Sequence, residues 1–152
     1  MQLFNWNDKL KTGMAEIDRQ HQELIKRINA FIKACMEEPR NFAAMASTFD
    51  FLNAYVVEHF ALEERLMLEH KYPRIDLHVQ DHREMRYWVD KTSQSISRHE
   101  FPEKLVMEVN YRLVEWLQLH IRNRDRNMSK FFQEIAGKNK ISSLLALIRG
   151  DQ

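Results

Sequence analysis

Glycine and proline are so scarce in this chain of 152 residues that their positions outline its fold. The prolines are Pro39, Pro73 and Pro102; the glycines are Gly13, Gly137 and Gly150. Helix interiors exclude both types. Proline lacks the amide N–H and clashes with the preceding turn, and glycine loses most backbone entropy on ordering. The three prolines therefore divide the middle of the chain into four helix-compatible segments. That is the outline of an all-α, up-down-up-down four-helix bundle. The length suits one domain with a substantial core.

Apolar spacing places the elements. The first helix is expected at about 18–37, with Asp18 as its N-cap and Leu24, Ile25, Ile28, Phe31, Ile32 and Cys35 on the buried face. After a turn at Glu37–Asn41, the second runs from about 42 to 70 and buries Phe49, Leu52, Val56, Phe60, Glu63 and Met67. The third follows Pro73 and reaches about residue 97; the fourth starts near Pro102, a first-turn proline, and ends near Glu134. Residues 1–17 read as an ordered arm anchored by Trp6. The bundle is expected to span 1–137, and residues 138–152 form a short C-terminal tail helix carrying Ile141, Leu144, Leu145 and Ile148. That tail reads either as a packing helix or as a docking segment for a protein partner.

A net charge of +1 gives no overall field for nucleic acid or for an acidic membrane, so neither is an expected partner. The single Cys35 cannot form an internal disulfide, and residues 1–20 lack the apolar core of a signal peptide. No run approaches the roughly 18 apolar residues of a membrane span. The expectation is a soluble, cytoplasmic protein. Cys35 reads as a small buried residue, the methionines as core filler, and His70 and His99 as exposed side chains.

The chemistry is concentrated around the Tyr72-Pro73 break. His59 and Glu63 precede it and His78 and His82 follow it, each pair four residues apart. Residues four apart lie on one helical face, so each pair can aim two ligand atoms at one ion. His59 and Glu63 fall within an apolar stripe, where an unpartnered polar group costs several kcal/mol. Adding His21, His120 and Asp125 gives a set drawn from all four helices. It exceeds the four donors that zinc takes and suits two octahedral ions. If both carboxylates bridge, then the five imidazole nitrogens, the carboxylate oxygens and one bridging solvent oxygen fill all but one position. An imidazole-rich set suits iron. No histidine here has a glutamate three residues before it, which disfavours the Glu-x-x-His sites of ferritin-like oxidases. One spacing strains the pattern. His120 and Asp125 are five residues apart, roughly 140° away from one another on an ideal helix, so the helix must distort, as by a π-bulge, or end there.

These residues resemble the hemerythrins, and among them the single-domain bacterial type. The resemblance rests on Gly13…Ile17-Asp18-x-Gln20-His21, on His59-Phe60-x-x-Glu63-Glu64, on Tyr72-Pro73 followed by His78 and His82, and on Trp116-Leu117-x-x-His120-Ile121 followed by Asp125. It covers roughly residues 3–132 and includes the five-residue spacing to Asp125. It implies two non-haem iron ions, one held by His78, His82 and His120 and the other by His21 and His59. Glu63, Asp125 and an oxo or hydroxo group would bridge them. It also implies reversible O2 binding at the two-histidine iron, as a hydroperoxide, in a pocket of Leu24, Phe60, Trp116, Leu117 and Ile121. Lys71 stands where the family commonly has glycine, the run Arg122–Arg126 is unusually basic, and the tail lies outside the family core.

The expected function is O2 carriage, storage or buffering by a non-enzyme. Two alternatives belong to other classes: a sensor of O2 or redox state read through the tail, and a di-iron enzyme that handles NO or peroxide.

Overall fold

The computed structural model describes residues 3–151. Among them there is no strand. The chain forms α1 (Ala15–Met36), α2 (Phe42–Glu69) and α3 (Ile75–Ser97). A continuous fourth rod, α4, covers 103–139, and a short α5 (Ser142–Arg149) ends the chain. Short turns join antiparallel neighbours, as the prolines indicate. Among the described residues no helix is long and apolar enough to cross a membrane.

The expected inward faces are buried, including His21 on α1 and His59 and Glu63 on α2. The apolar residues fall into two clusters rather than one. The larger takes in Leu24, Ile28, Phe49, Leu52, Phe60, Met85, Trp88, Leu113, Leu117 and Ile121. The smaller takes in Met14, Ile17, Leu66, Met67, Tyr72, Met128, Phe132, Ala136 and Leu144. Each long helix passes from one cluster to the other, and the ligand-type residues lie in the layer between.

The fourth rod is not uniform. α-Helix Glu103–Asn110 passes into π-helix Tyr111–Trp116, then α-helix Leu117–His120, π-helix Ile121–Asp125 and α-helix Arg126–Asn139. The second π-segment is the distortion that the His120–Asp125 spacing demands. The first was not anticipated. The rod also outlasts its expected end at Glu134 and runs through Gly137, so the 137/138 boundary falls in its last turn.

Two sequence readings of the N-terminal region are corrected. Helix α1 starts at Ala15, with Met14 rather than Asp18 at the N-cap. Asp18 instead lies in the first turn, where its Oδ1 accepts from Thr12 N at 2.8 Å and Thr12 Oγ1 at 2.9 Å. The acid thus ties down the arm while favouring the positive helix end. Trp6 is only half-buried; Phe4, Leu10 and Met14 are the buried anchors of the arm. Phe4 N and O also pair with the Asn29 amide, both at 2.8 Å. Gly13 has a φ of +91°, a left-handed backbone that favours glycine, and a Cβ there would sit 2.7 Å from the movable Gln133 Nε2 of α4. The arm's 3-10 turn, Asp8–Leu10, packs against Ile121–Asp125. Cys35 is buried, and burial pushes its thiol up to about 12. His99 is exposed and stacked on Phe42, whereas His70 is half-buried against Phe132.

The break between α2 and α3 is a Schellman turn. Tyr72 N donates to Met67 O at 2.8 Å and Lys71 N to Leu68 O at 3.3 Å, with Lys71 left-handed at φ 55°. This explains why glycine suits the position. Lys71→Gly is expected to relieve about 1–2 kcal/mol of left-handed strain against a somewhat smaller gain in unfolded-chain entropy. The melting midpoint should rise by about 1–4 °C, read by circular dichroism.

Helix α5 packs on α1 and α4, and Leu144 is fully buried in the smaller cluster. Ile141, Leu145, Leu147 and Ile148 are partly buried against it. The structure thus gives the tail a packing role. Leu144→Ala should cost about 3 kcal/mol, lowering the melting midpoint by about 6–12 °C; an unchanged midpoint would mean that the tail is not part of the folded unit.

Candidate metal centre

All seven predicted ligand residues converge between the two apolar clusters, and none is exposed by more than 3%. Two overlapping groups lie with their ligand atoms within 4.8 Å of one another: Glu63, His78, His82 and His120, and His21, His59, Glu63 and Asp125. Helical spacing supplies the pairs on α2 and α3, and the π-segment turns Asp125 toward the face that carries His120.

The carboxylates face both ways. Glu63 Oε1 lies 3.3 Å from His59 Nε2, while its Oε2 lies 3.3 Å from His78 Nε2 and 3.2 Å from His82 Nε2. Asp125 Oδ2 lies 2.9 Å from His21 Nε2, while its Oδ1 lies 3.1 Å from both His78 Nε2 and His120 Nε2. Each acid therefore presents one oxygen to the His21–His59 side and the other to the His78–His82–His120 side.

These contacts are short without having hydrogen-bond direction. His21 Nε2, His59 Nε2, His78 Nε2 and both oxygens of Glu63 and of Asp125 are buried with no hydrogen-bond partner. So many orphaned polar atoms in a dry layer would cost several kcal/mol each. A cation among them satisfies all at once. Nitrogens and carboxylate oxygens converging in this way fit metal ions.

The electrostatics of the ligand side chains reflect the same frustration. Burial works against a charge on His78, yet Asp125 and Glu63 outweigh it and hold the ring up to about 10. Burial likewise opposes charge on His120, while Asp125 and then Asp81 bring it to about 9. His59 goes the other way, because burial outweighs Glu63 and lowers it to about 4. Glu63 stays below the ordinary carboxylate range despite burial and the charge of Asp125, held there by His59, His78 and His82. Asp125 stays well below it, against burial, through His120, His21 and His78. The two acids favour positive charge nearby, and they raise the proton affinity of His78 and His120.

Behind the ligands stand residues to which the sequence reading assigned no role. Gln20 Oε1 lies 2.7 Å from His59 Nδ1, and Glu64 Oε1 lies 2.8 Å from His82 Nδ1. Asp81 Oδ2 lies 3.5 Å from His120 Nδ1 and accepts from Arg124 Nε at 2.6 Å. Each of Gln20, Glu64 and Asp81 is next in the chain to a ligand but serves a ligand of another helix. A polar neighbour beside each ligand was the available signal. Aromatic rings complete the wall: Phe60 stacks on His82 at 3.8 Å and Trp116 on His120 at 4.6 Å.

Of the five predicted pocket residues, Leu24, Phe60, Trp116 and Leu117 line one small apolar cavity of ≈ 20 Å³. Ile121 is fully buried in the same cluster but is not among the lining residues.

The sequence profile of the hemerythrin HHE cation-binding domain matches residues 12–132. The chain belongs to the hemerythrin family. A bacteriohemerythrin from Pseudomonas paraeruginosa (strain DSM 24068 / PA7) is 32% identical over 120 residues, covering 79% of this chain and 75% of that protein. One from Stenotrophomonas maltophilia (strain R551-3) is 32% identical over 126 residues, covering 83% and 79%. A crystal structure of wild-type hemerythrin superposes with a TM-score of 0.74 at 21% identity, covering 85% of this chain and 97% of that one. A leucine-to-alanine hemerythrin mutant gives the same score and covers 86% and 97%. At that identity the structural likeness shows the fold alone. Membership in the hemerythrin family adds non-haem iron to the description of a site whose atoms already fit metal.

In this hemerythrin-family chain, His78→Ala should lower bound metal and cancel the thermal stabilisation that metal gives, since a buried charged partner is left exposed to its neighbours at about 3–5 kcal/mol. Elemental analysis beside melting curves with and without metal checks this.

Proposed function

We propose that this chain binds O2 reversibly at a pair of non-haem iron ions, with Glu63 and Asp125 spanning the pair. His78, His82 and His120 would hold one ion, and His21 and His59 the other. The observation that carries this reading is the division of carboxylate oxygens, with one oxygen of each acid turned toward each group of histidines. An iron pair held there supplies electrons that O2 can take up and return.

The chain's own residues govern reversibility. Five histidines, two bridging carboxylates and one bridging solvent oxygen would leave the pair one donor short, on the side with two histidines. Leu24, Phe60, Trp116 and Leu117 surround a cavity with room for about one small molecule. Apolar walls keep out the water and protons that would otherwise let an electron be lost with the departing ligand. The lining is apolar apart from Arg112, and ≈ 20 Å³ holds no organic substrate. Both facts support binding of a diatomic ligand over catalysis on a larger one. Phe60 and Trp116, stacked on His82 and His120, also fix the ring planes of two ligands.

The test is elemental analysis together with visible spectra of the reduced, oxygenated and deoxygenated protein. Two irons per chain are expected, with an oxygenated absorption band that vanishes when O2 is removed and returns with it. One ion per chain, or zinc at full occupancy in protein made with ample iron, would refute the pair.

Leu117→Ala opens the cavity without touching a ligand. The oxygenated band should still form, but its decay in air should quicken about tenfold, equivalent to about 1.4 kcal/mol of barrier. An unchanged decay at full iron content would mean that Leu117 does not guard the site.

A further inference from the structure

The two groups of histidines are held from behind by chemically different partners. His82 Nδ1 lies 2.8 Å from Glu64 Oε1, and the same oxygen accepts from Arg86 Nη1 at 2.9 Å. A carboxylate can only accept, so the His82 proton belongs on Nδ1 and the Nε2 lone pair turns toward Glu63 and the centre. His120 Nδ1 faces Asp81 across 3.5 Å, an ionic contact rather than a hydrogen bond, with Arg124 donating to that same Asp81 oxygen. On the other side, His59 Nδ1 meets a neutral amide: Gln20 Oε1 at 2.7 Å, whose own Nε2 donates to Glu16 Oε1 at 3.1 Å. Both carboxylate supports thus serve the His78–His82–His120 side, and the amide serves the His21–His59 side.

We propose that Glu64, set by Arg86, and more weakly Asp81, set by Arg124, are positioning residues that make the three-histidine side of the centre the more electron-donating one, while Gln20 leaves the two-histidine side the poorer. This rests on the two-iron reading above. A carboxylate accepting from an imidazole N–H raises the basicity of the opposite nitrogen, and a stronger donor favours the more oxidised ion. An amide in the same place orients the ring with much less added charge. Burial magnifies the difference, since water does not screen it. Each arginine fixes its carboxylate and offsets part of its charge, so the acid polarises the ring N–H without removing the proton. The two supports differ in strength as 2.8 Å differs from 3.5 Å.

The pairs are accessible to test because they lie outside the sealed layer; the side chains of Glu64 and Arg86 are 26% and 34% exposed. Glu64→Gln keeps an acceptor for His82 and removes the charge. Spectroelectrochemistry of the iron-loaded protein should show the reduced form favoured about tenfold more, about 59 mV for one electron. Asp81→Asn should shift the potential in the same direction by less. Arg86→Met, which keeps a flexible stem over Phe60, should shift it the opposite way by unmasking Glu64. Glu84→Gln and Arg83→Met, exposed on the same helix, should leave it unmoved. Opposite signs from the two members of one ion pair are not expected of a merely structural contact. In the redox-silent zinc-loaded protein, the His82 Nδ1–H proton resonance should move upfield in Glu64→Gln.

Two irons in the parent with an unchanged potential in both Glu64→Gln and Arg86→Met would overturn this proposal and leave the two-iron reading standing. A parent without two irons would overturn both. If Glu64→Gln failed to hold iron, Arg86→Met and the zinc-protein resonance would decide, and a potential that rose or stayed level in Arg86→Met would overturn the proposal.

Discussion

Two carboxylates, Glu63 and Asp125, are fully buried in one layer, and much of the architecture follows from that placement. Neither can be ionised in a dry interior without positive charge within a few ångströms. Five imidazoles supply nitrogen donors rather than fixed charge, so the layer is satisfied by cations. No single helix presents enough donors at suitable spacing. Four must contribute, each crossing from the larger apolar cluster to the smaller with its ligands at the crossing point. The clusters position the helices, and the layer between them couples all four. Metal binding and bundle stability are consequently one equilibrium seen from two ends.

The fourth rod shows how far the backbone bends to this requirement. Val109, Leu113, Leu117, Ile121, Asp125 and Ser129 are all buried and follow one another in steps of four. On an ideal α-helix each such step overshoots one turn by about 40°, and five steps would carry the row about 200° around the rod. Ser129 would then stand on the face opposite Val109. The π-segments Tyr111–Trp116 and Ile121–Asp125 unwind the rod and cancel the drift. Asp125 is therefore one member of a row that already demands underwinding. The arm's Asp8–Leu10 turn, packed on the second π-segment, covers the less regular stretch.

Helix number, turns and the seven converging residues were legible because each depends on short-range chemistry: three prolines, apolar spacing, and donors four apart on one face. The spacing from His120 to Asp125 even announced its own π-segment. The first π-segment escaped notice because its trace is the four-residue row of buried positions, visible only when Val109 through Ser129 are read together. Asp18 was misread because a first-turn acid looks the same whether it caps its own helix or receives the amide of a preceding loop. Trp6 was overrated against Phe4 and Leu10 because size signals burial less well than the path of the arm does. Glu64, Asp81 and Gln20 were hidden by a plain geometric fact: each partners a ligand on a different helix from its own, whereas its neighbour along the chain is another ligand.

The site is built with a dry face and a charged face, and the two have separable duties. Phe60, Trp116, Leu117 and Leu24 form the dry face toward the larger cluster. They can exclude water but cannot direct a proton or alter the charge on a ring. Glu64, Asp81 and Gln20 stand at the outer edges of the histidines, where they can fix tautomers and donor strength but cannot keep water out. Phe60 is where the two meet, stacked on His82 and lying beneath Arg86, whose guanidinium is 5.4 Å from the ring centre. The same arginine holds Glu64, which holds His82 from its other nitrogen. One ligand ring is therefore fixed in plane by an apolar neighbour and in electron density by an ionic one, with a single side chain bracing both. Such a ring can neither tilt nor exchange its proton independently. That makes the His82 corner the most constrained part of the layer, while the His21 and His78 rings have no hydrogen-bond partner at Nδ1.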